Sequence, residues 1–414
     1  MFRPLLSSRL FCVALLTTWI TNAQPLSDSA TPHELEKRAT CTVSSGGTAS
    51  FDDGPAIAKA VKDCGNGGVI MLSAGTQYML RSPLDLTGCS GCDVQLEGTI
   101  KASDDVAYWN GKGFMIRING WTNGKFRSLK GSGVIDGNGQ AAWDAFAKDT
   151  TMKRPTLVVV TGASNTFMDK VQVKNPQNVF FTVQGKSTGI TFSNLDLKAV
   201  SKSSAPPKNT DGFDIGLSSY VTLSNIKVLN GDDCVAFKPG SNYVHVKGIT
   251  CTGSHGLSVG SLGKAAGSTD SVTNVLVENA VMINSTKAAG IKVYPGGSSH
   301  GSSVVRNVTW DGVTVQNSDY AFTIEPCYGE TAAYCKANGA SSTISGIYVK
   351  NFKGTTSKKY APTTGEVFCP VKGAACDVHI SGWSVQATGA TGKVLCNNID
   401  GTTLGQACTQ SNPL

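Results

Sequence analysis

The stretch YVTLSNIKVLNG, residues 220–231, is answered after a short connection by YVHVKGITCTG, residues 243–253. In both, apolar residues alternate with polar ones along a run rich in β-branched side chains, and the run closes on Asn or Gly. That is the pattern of a strand with one buried face. The same unit recurs on either side, as LVVVTGASNTFMDKVQVKN (157–175), GITFSNLDLKAV (189–200), NVLVENAVMIN (274–284), NVTWDGVTVQNS (307–318), GIYVKNFKGTTS (346–357) and VHISGWSVQATG (378–389). A repeat every 20 to 40 residues or so is the period of a solenoid. With no helical pattern between the strands, βαβ winding is excluded. The reading is an all-β fold, a right-handed parallel β-helix whose coils stack about 4.8 Å apart with variable loops on one side. A sandwich or jelly roll is the alternative.

Upstream of the repeats, FDDGPAIAKAVKDCGNGG (51–68) carries the one clear helix signature: Asp52 or Asp53 as cap, Ile57 and Val61 among alanines, and Gly65 as stop. This short N-terminal helix, near residues 54–64, would cover the open end of the solenoid.

The first residues place Arg3 and Arg9 ahead of the apolar run Leu10–Ile20 and end in small residues at Ala23, which reads as a signal peptide over 1–23. The polar segment 24–38 ends in Lys37-Arg38, a processing site, so the mature chain is expected to start at Ala39 and to form a single catalytic β-helix over 39–414. No later run reaches the roughly 20 apolar residues of a membrane span. The expected product is secreted and extracellular, with no membrane partner. Removing Cys12 with the signal leaves 12 of 13 cysteines, an even set suited to oxidising export. They fall as sequence neighbours, and pairing in order is expected: Cys41–Cys64, Cys89–Cys92 and onward to Cys396–Cys408. A zinc reading of Cys89-x-x-Cys92 fails for want of two more ligands nearby, so no metal and no cofactor is expected. Sequons stand at Asn284 and Asn307.

The formal net charge is +7, and loss of residues 1–38, with four basic and three acidic side chains, leaves +6. A basic chain favours polyanions. Scattered lysines without a nucleic-acid motif, in an exported protein, point away from nucleic acid and towards an extracellular acidic polymer.

Against this background, NTDGFDIGLSSYVTLSNIKVLNGDDCVAFK (209–238) crowds carboxylates at Asp211, Asp214, Asp232 and Asp233. Charged carboxylates repel and resist dehydration, so the crowding needs a chemical reason. Asp211 precedes Asp232 and Asp233 by one coil, and His255 follows by another. Residues one coil apart sit side by side, so these groups, with Lys292 and Tyr320 further on, are expected to form one row along a groove. Successive strand residues face opposite ways, so Asp232 and Asp233 can share the groove only if the chain bends, as Gly231 would allow. An isolated Asp-Asp pair, as at Asp52-Asp53 or Asp104-Asp105, needs no more than a capping or turn role. Two carboxyl groups about 6.5 to 9.5 Å apart would suit an inverting glycosidase, one donating a proton to the leaving oxygen and the other activating water. A third acid would raise the donor's pKa.

NTDGFD (209–214), GDDC (231–234), GSHGLSVGSLG (253–263) and Ile291-Lys292, with GSGVIDGNGQAAWD (131–144), resemble in order and spacing the signature blocks of glycoside hydrolase family 28, the polygalacturonases. The resemblance covers essentially the whole mature chain. It implies a parallel β-helix acting on pectin as a monomer, with Asp232 as general acid and Asp211 and Asp233 positioning and activating water. It makes Asn209 and His255 supports of the cluster and the sugar, Lys292 a ligand of a galacturonate carboxylate, and Tyr320 part of the product side. One departure stands out: where polygalacturonases usually carry Arg-Ile-Lys, this chain has Gly290-Ile291-Lys292. A bidentate carboxylate clamp is lost, and the glycine is expected to leave room for a side group. STKAAGIKVYPGG (285–297) and KNPQNVF (174–180) are similar to the endo-xylogalacturonan hydrolase branch, which cleaves galacturonan bearing xylose. An exo- or endo-polygalacturonase acting on unsubstituted polymer is the nearer alternative. From other classes come an esterase using Ser258 in GLSVG, a calcium-dependent lyase, and a non-catalytic pectin-binding solenoid. His245, His300 and His379 lack ligand spacing and are read as packing or surface residues.

Overall fold

The computed structural model describes residues 38–339, 341–370 and 376–411; the expected signal peptide and all but the last residue of the expected propeptide lie outside them. The strands form two long sheets, of 19 and 12 strands, and neighbours pair in parallel. The chain winds as a right-handed parallel β-helix, so each coil contributes strands to both sheets and meets its neighbours in sequence.

Register explains the core. On the 12-stranded sheet, Phe181, Phe213, Val235, Leu257, Ala289 and Phe322 are direct partners from coil to coil, and all are fully buried. On the other sheet the column is Val221, Val244, Val275, Val308, Ile347 and Val378. Each such side chain removed from water is worth about 1.5–3 kcal/mol, and like residues stack because the coil spacing matches their thickness. Phe181 and Phe213 lie face to face with ring centroids 5.1 Å apart.

The asparagines that close the sequence units occupy corners with positive φ, at Asn225, Asn274, Asn284, Asn307 and Asn317 among others, a conformation that Asn tolerates. Their amides form ladders: Asn307 Nδ2 donates to Asn274 Oδ1 at 2.7 Å, Asn274 to Asn242 at 2.8 Å, and Asn317 to Asn284 at 2.8 Å. Both sequon asparagines are thus exposed ladder residues, and the Asn307 nitrogen that a glycan would use is already engaged.

Helix α1 (Gly54–Cys64) covers the first coil with Ile57, Ala60, Val61 and Cys64 buried beneath it. Its start differs in detail from expectation. Asp53 makes no cap bond; its carboxylate accepts from the Gly46 and Met79 amides, both at 2.7 Å. Asp52 Oδ1 takes the Gly54 amide instead, at 3.2 Å. Gly65 is right-handed, φ −68°, and is required for space: a Cβ there would lie 2.1 Å from the Gly88 carbonyl oxygen. Among the described residues four short helices also occur, Val106–Trp109, Gln140–Phe146, Ala332–Ala337 and Gly401–Leu404, too brief for periodicity to reveal. The six disulfides pair the cysteines in sequence order, from Cys41–Cys64 to Cys396–Cys408. Among the described residues no helix is long and apolar enough to cross a membrane.

Candidate active site

Six strands of the 12-stranded sheet build the site: β1 (Phe213–Ile215), β2 (Val235–Phe237), β3 (Leu257–Leu262), β4 (Lys287–Val293), β5 (Tyr320–Glu325) and β6 (Thr363–Phe368). Asp214, Ala236, Ser258, Gly290, Thr323 and Glu366 are register partners across them. Asp211, Asp233 and His255 each lie three residues upstream of that row, at the corner where the chain enters its strand, and so stack from coil to coil. Asp232 and Asp233 precede β2, in bent chain, which lets both side chains reach the groove. Gly231 serves this corner by lacking a Cβ, which would sit 2.7 Å from the Pro207 carbonyl oxygen of the neighbouring coil.

One oxygen of each of Asp211, Asp232 and Asp233 lies within 4.8 Å of the others, nearer than the separation expected from sequence for a pair flanking water. Asp233 is buried and fully engaged: Ser258 Oγ donates to Oδ1 at 2.8 Å and Lys292 Nζ to Oδ2 at 2.7 Å. Asp211 is buried beside Asp214, with Lys238 Nζ at 3.9 Å from its carboxylate and 3.4 Å from that of Asp214. Burial, and then the charges of Asp214, Asp232 and Asp233, push Asp211 well above the usual carboxylate range. Asp232 is the most accessible of the three, its side chain 20% exposed. Burial works against its charge, but His255 Nδ1 at 3.2 Å, the Asp233 amide at 2.8 Å and Lys292 outweigh it, and its pKa is lowered. Asn209 Nδ2 approaches its other oxygen at 3.3 Å. Burial likewise opposes the charge of Lys238, yet Asp214, Asp211 and Asp233 raise its pKa.

Four carboxyl groups, of Asp211, Asp214, Asp232 and Asp233, and the ammonium groups of Lys238 and Lys292 thus line an open pocket of about 530 Å³, together with Arg154, Asn178, Ser261 and Tyr328. The model of glycosyl hydrolases family 28 matches residues 64–409. The chain belongs to this family. Among its family 28 relatives, endo-xylogalacturonan hydrolase A of Aspergillus tubingensis is 51% identical over 95% of this chain and 97% of the relative. A probable endo-xylogalacturonan hydrolase A of Aspergillus fumigatus is 52% identical over 92% and 95%. The crystal structure of the Aspergillus tubingensis enzyme superposes with a TM-score of 0.87, at 53% identity, covering 90% of this chain and 99% of that one. Polygalacturonase from Erwinia carotovora shares the fold, with a TM-score of 0.66 at 22% identity.

Within this family 28 groove, the residues read from sequence do not all fall in one row. Asp211, Asp233, His255, Lys287 and Tyr320 share the corner position; Lys292 belongs to another row, partnered by Gly260 and Glu325, and reaches Asp233 with its long side chain. Tyr320 lies two coils beyond His255, outside the acid pocket, stacked on Tyr360 with centroids 4.6 Å apart. Tyr328 lines the pocket in its place, the Lys292 ammonium 5.4 Å from its ring centroid. The space expected beside Gly290 is already filled. A Cβ there would lie 2.7 Å from the Thr323 carbonyl oxygen and 3.0 Å from Lys287 Cδ, so the missing arginine is replaced by packed atoms rather than by a void.

Sequence reasoning missed Arg154, Lys238 and Lys287. Arg154 donates to the Gln177 and Lys208 carbonyls and to Asn209 Oδ1, all within 2.8 Å, and its guanidinium lies 3.6 Å over the Phe146 ring. Burial pulls its pKa down to about 10. It orients Asn209 and, through it, Asp232. QAAWDAF, the short helix that carries Phe146, was the available signal. Ser258 is fully buried within β3 and bonded to Asp233, which removes the esterase reading, since a nucleophile elbow needs an exposed strand-to-helix turn. Among the described residues the remaining histidines pair with surface acids, His245 with Glu278, His300 with Glu330 and His379 with Asp377.

The Asp232–His255 contact gives a pH prediction. A general acid works while protonated, so activity falls as pH rises through its pKa. Because His255 lowers that pKa, His255→Ala is expected to move the alkaline limb of the kcat/KM profile to higher pH. An unmoved limb would remove the histidine from control of Asp232.

Proposed function

We propose that this chain is a pectin-degrading enzyme that hydrolyses α-1,4-galacturonosyl linkages in xylose-substituted galacturonan, with inversion at the anomeric carbon. The observation that carries the chemistry is the unequal state of three crowded carboxyls. A retaining enzyme needs a free carboxylate nucleophile. Here Asp233 has both oxygens tied, burial pushes Asp211 towards its neutral form, and Asp232 accepts three contacts. Water is the remaining nucleophile, and a gap below 4.8 Å suits one water bonded to two of these oxygens.

Asp232 is the general acid in this reading, by access rather than by its resting charge. As substrate enters, a bridging water passes the Asp211 proton to Asp232. Asp232 gives it to the glycosidic oxygen as the C–O bond breaks, the nucleophilic water attacks the anomeric carbon, and its proton returns to Asp211. One proton enters and one leaves, so the cluster is restored. Asp233, fixed by Ser258 and Lys292, orients the water; Asn209 and His255 hold Asp232; Lys292 and Tyr320 contact the sugars on either side, beside Gly290.

The preference for xylosylated polymer is supported by the names of relatives half identical to this chain and by the absent arginine at 290. Six disulfides support export through an oxidising compartment, after removal of 1–23 as signal and of 24–38 as propeptide. The test is chromatography of early products from xylogalacturonan and polygalacturonate, with the anomer read by NMR. Mixed oligomers of inverted configuration, formed faster from the xylosylated polymer, are expected. Retained configuration would reject the water mechanism, and equal rates on both polymers would reject the substrate.

A further inference from the structure

Beyond Lys292, along the groove towards the C-terminus, the charges change sign. On the acid side the pocket is lined by Lys153, Arg154, Lys238 and Lys292, a setting for galacturonate carboxylates. Strands β5 and β6 themselves carry no lysine or arginine. Lys287 Nζ is bound to Glu325 Oε1 at 3.0 Å, the same oxygen that accepts from Thr323 Oγ1 at 3.0 Å. Lys359 is bound to Asp319 at 2.9 Å. Glu366, the register partner of Thr323, has no cationic partner among the described residues and is met by the Tyr320 hydroxyl. Glu325 is the register partner of Lys292 and Thr323 that of Gly290. Glu325 and Glu366, on alternate residues of adjacent coils, therefore share one face.

A polymer crossing the strands passes directly from the catalytic acids onto this face. Each galacturonate, substituted or not, would bring a carboxylate to it, and like charges in a groove cost affinity that opposite charges would return. A xylose side group brings hydroxyls, and ionised carboxylates are strong acceptors for paired hydroxyl donors.

We infer that Glu325 and Glu366 are specificity-determining residues, which disfavour an unsubstituted galacturonate on this side of the cleaved bond and accept the hydroxyls of a neutral pentose substituent. The pairing of Lys287 is part of the device. Lys287 lies against Gly290, where an arginine would stand, and Glu325 cancels its charge, so the subsite loses a carboxylate clamp twice over. This inference rests on the substrate reading above and adds what enforces it.

The experiment compares wild type, Glu325→Gln and Glu366→Gln on polygalacturonate and on xylogalacturonan at low and high salt, with melting temperatures as a check on folding. Glu325→Gln removes an anion and releases the Lys287 cation; its KM for polygalacturonate is expected to fall about tenfold, with kcat little changed. Glu366→Gln should act in the same direction and less, since it releases no cation. Both should lower the KM for polygalacturonate more than that for xylogalacturonan, whose xylose loses an ionised acceptor for its hydroxyls, and the gain on polygalacturonate should shrink with salt. Two folded variants whose ratio of the two KM values matches wild type would overturn the inference. A wild type with no preference would sink the substrate reading instead, and there the response of the polygalacturonate KM to Glu325→Gln still decides whether this face repels carboxylates.

Discussion

Asp232→Asn is expected to lower kcat by at least about 10²-fold, the scale of lost general-acid catalysis, while polymer binding survives. Asparagine keeps an oxygen to accept from the Asp233 amide but has no proton to give to the leaving oxygen. The stability consequence is small and has a definite sign. The folded pKa of Asp232 is lowered, so its ionised form stabilises the fold above the unfolded value near 3.8, and that contribution is lost as pH falls through the lower folded value. Asp232→Asn therefore loses a little stability at neutral pH and none in strong acid. The measurements are kcat on polymer, binding of polymer to the variant, and melting temperature at pH 7. A folded variant with near-normal kcat would remove Asp232 as the proton donor and pass that role to Asp211, whose pKa burial raises.

Why the fold was legible and the site only partly so comes down to range. Strand alternation, asparagine corners and the coil-length spacing of Asp211, Asp233 and His255 are local or periodic signals, and the parallel register follows from them because each coil can pair only with the next. Cysteine pairing in order has the same origin, since a coil brings back residues a short way along the chain. The failures involve long side chains and loops. Charge alone puts Lys292 in the acid row, but its backbone lies five residues further along the strand than the corner position. Tyr320 holds the corner position yet stands two coils away, while Tyr328, in a loop without periodicity, lines the pocket. The Gly290 reading failed for a related reason. An absent side chain says nothing of what fills its place, and Lys287 fills it from three residues upstream on the same strand.

Asp211→Asn should stabilise the protein at neutral pH and, by the same substitution, cost at least about 10²-fold in kcat. Burial and three neighbouring carboxyls raise the folded pKa of Asp211 well above 3.8. Between the unfolded and folded values the unfolded chain ionises and the folded chain does not, so stability falls as pH rises through that window, with a slope of about 1.4 kcal/mol per pH step of one. Asparagine carries no charge in either state and escapes the penalty. It also keeps the shape and one acceptor for Lys238, whose main partner Asp214 remains in place. The melting temperature of wild type should therefore rise as pH is lowered from neutral towards the ordinary carboxylate range, and the variant should lie above wild type at neutral pH with that slope largely gone. The loss of rate follows because asparagine can neither lend a proton to Asp232 nor take one back from water. A variant that melts below wild type at pH 7 would show that Asp211 is ionised and stabilising in the free enzyme, and the proton exchange between Asp211 and Asp232 would fall with it.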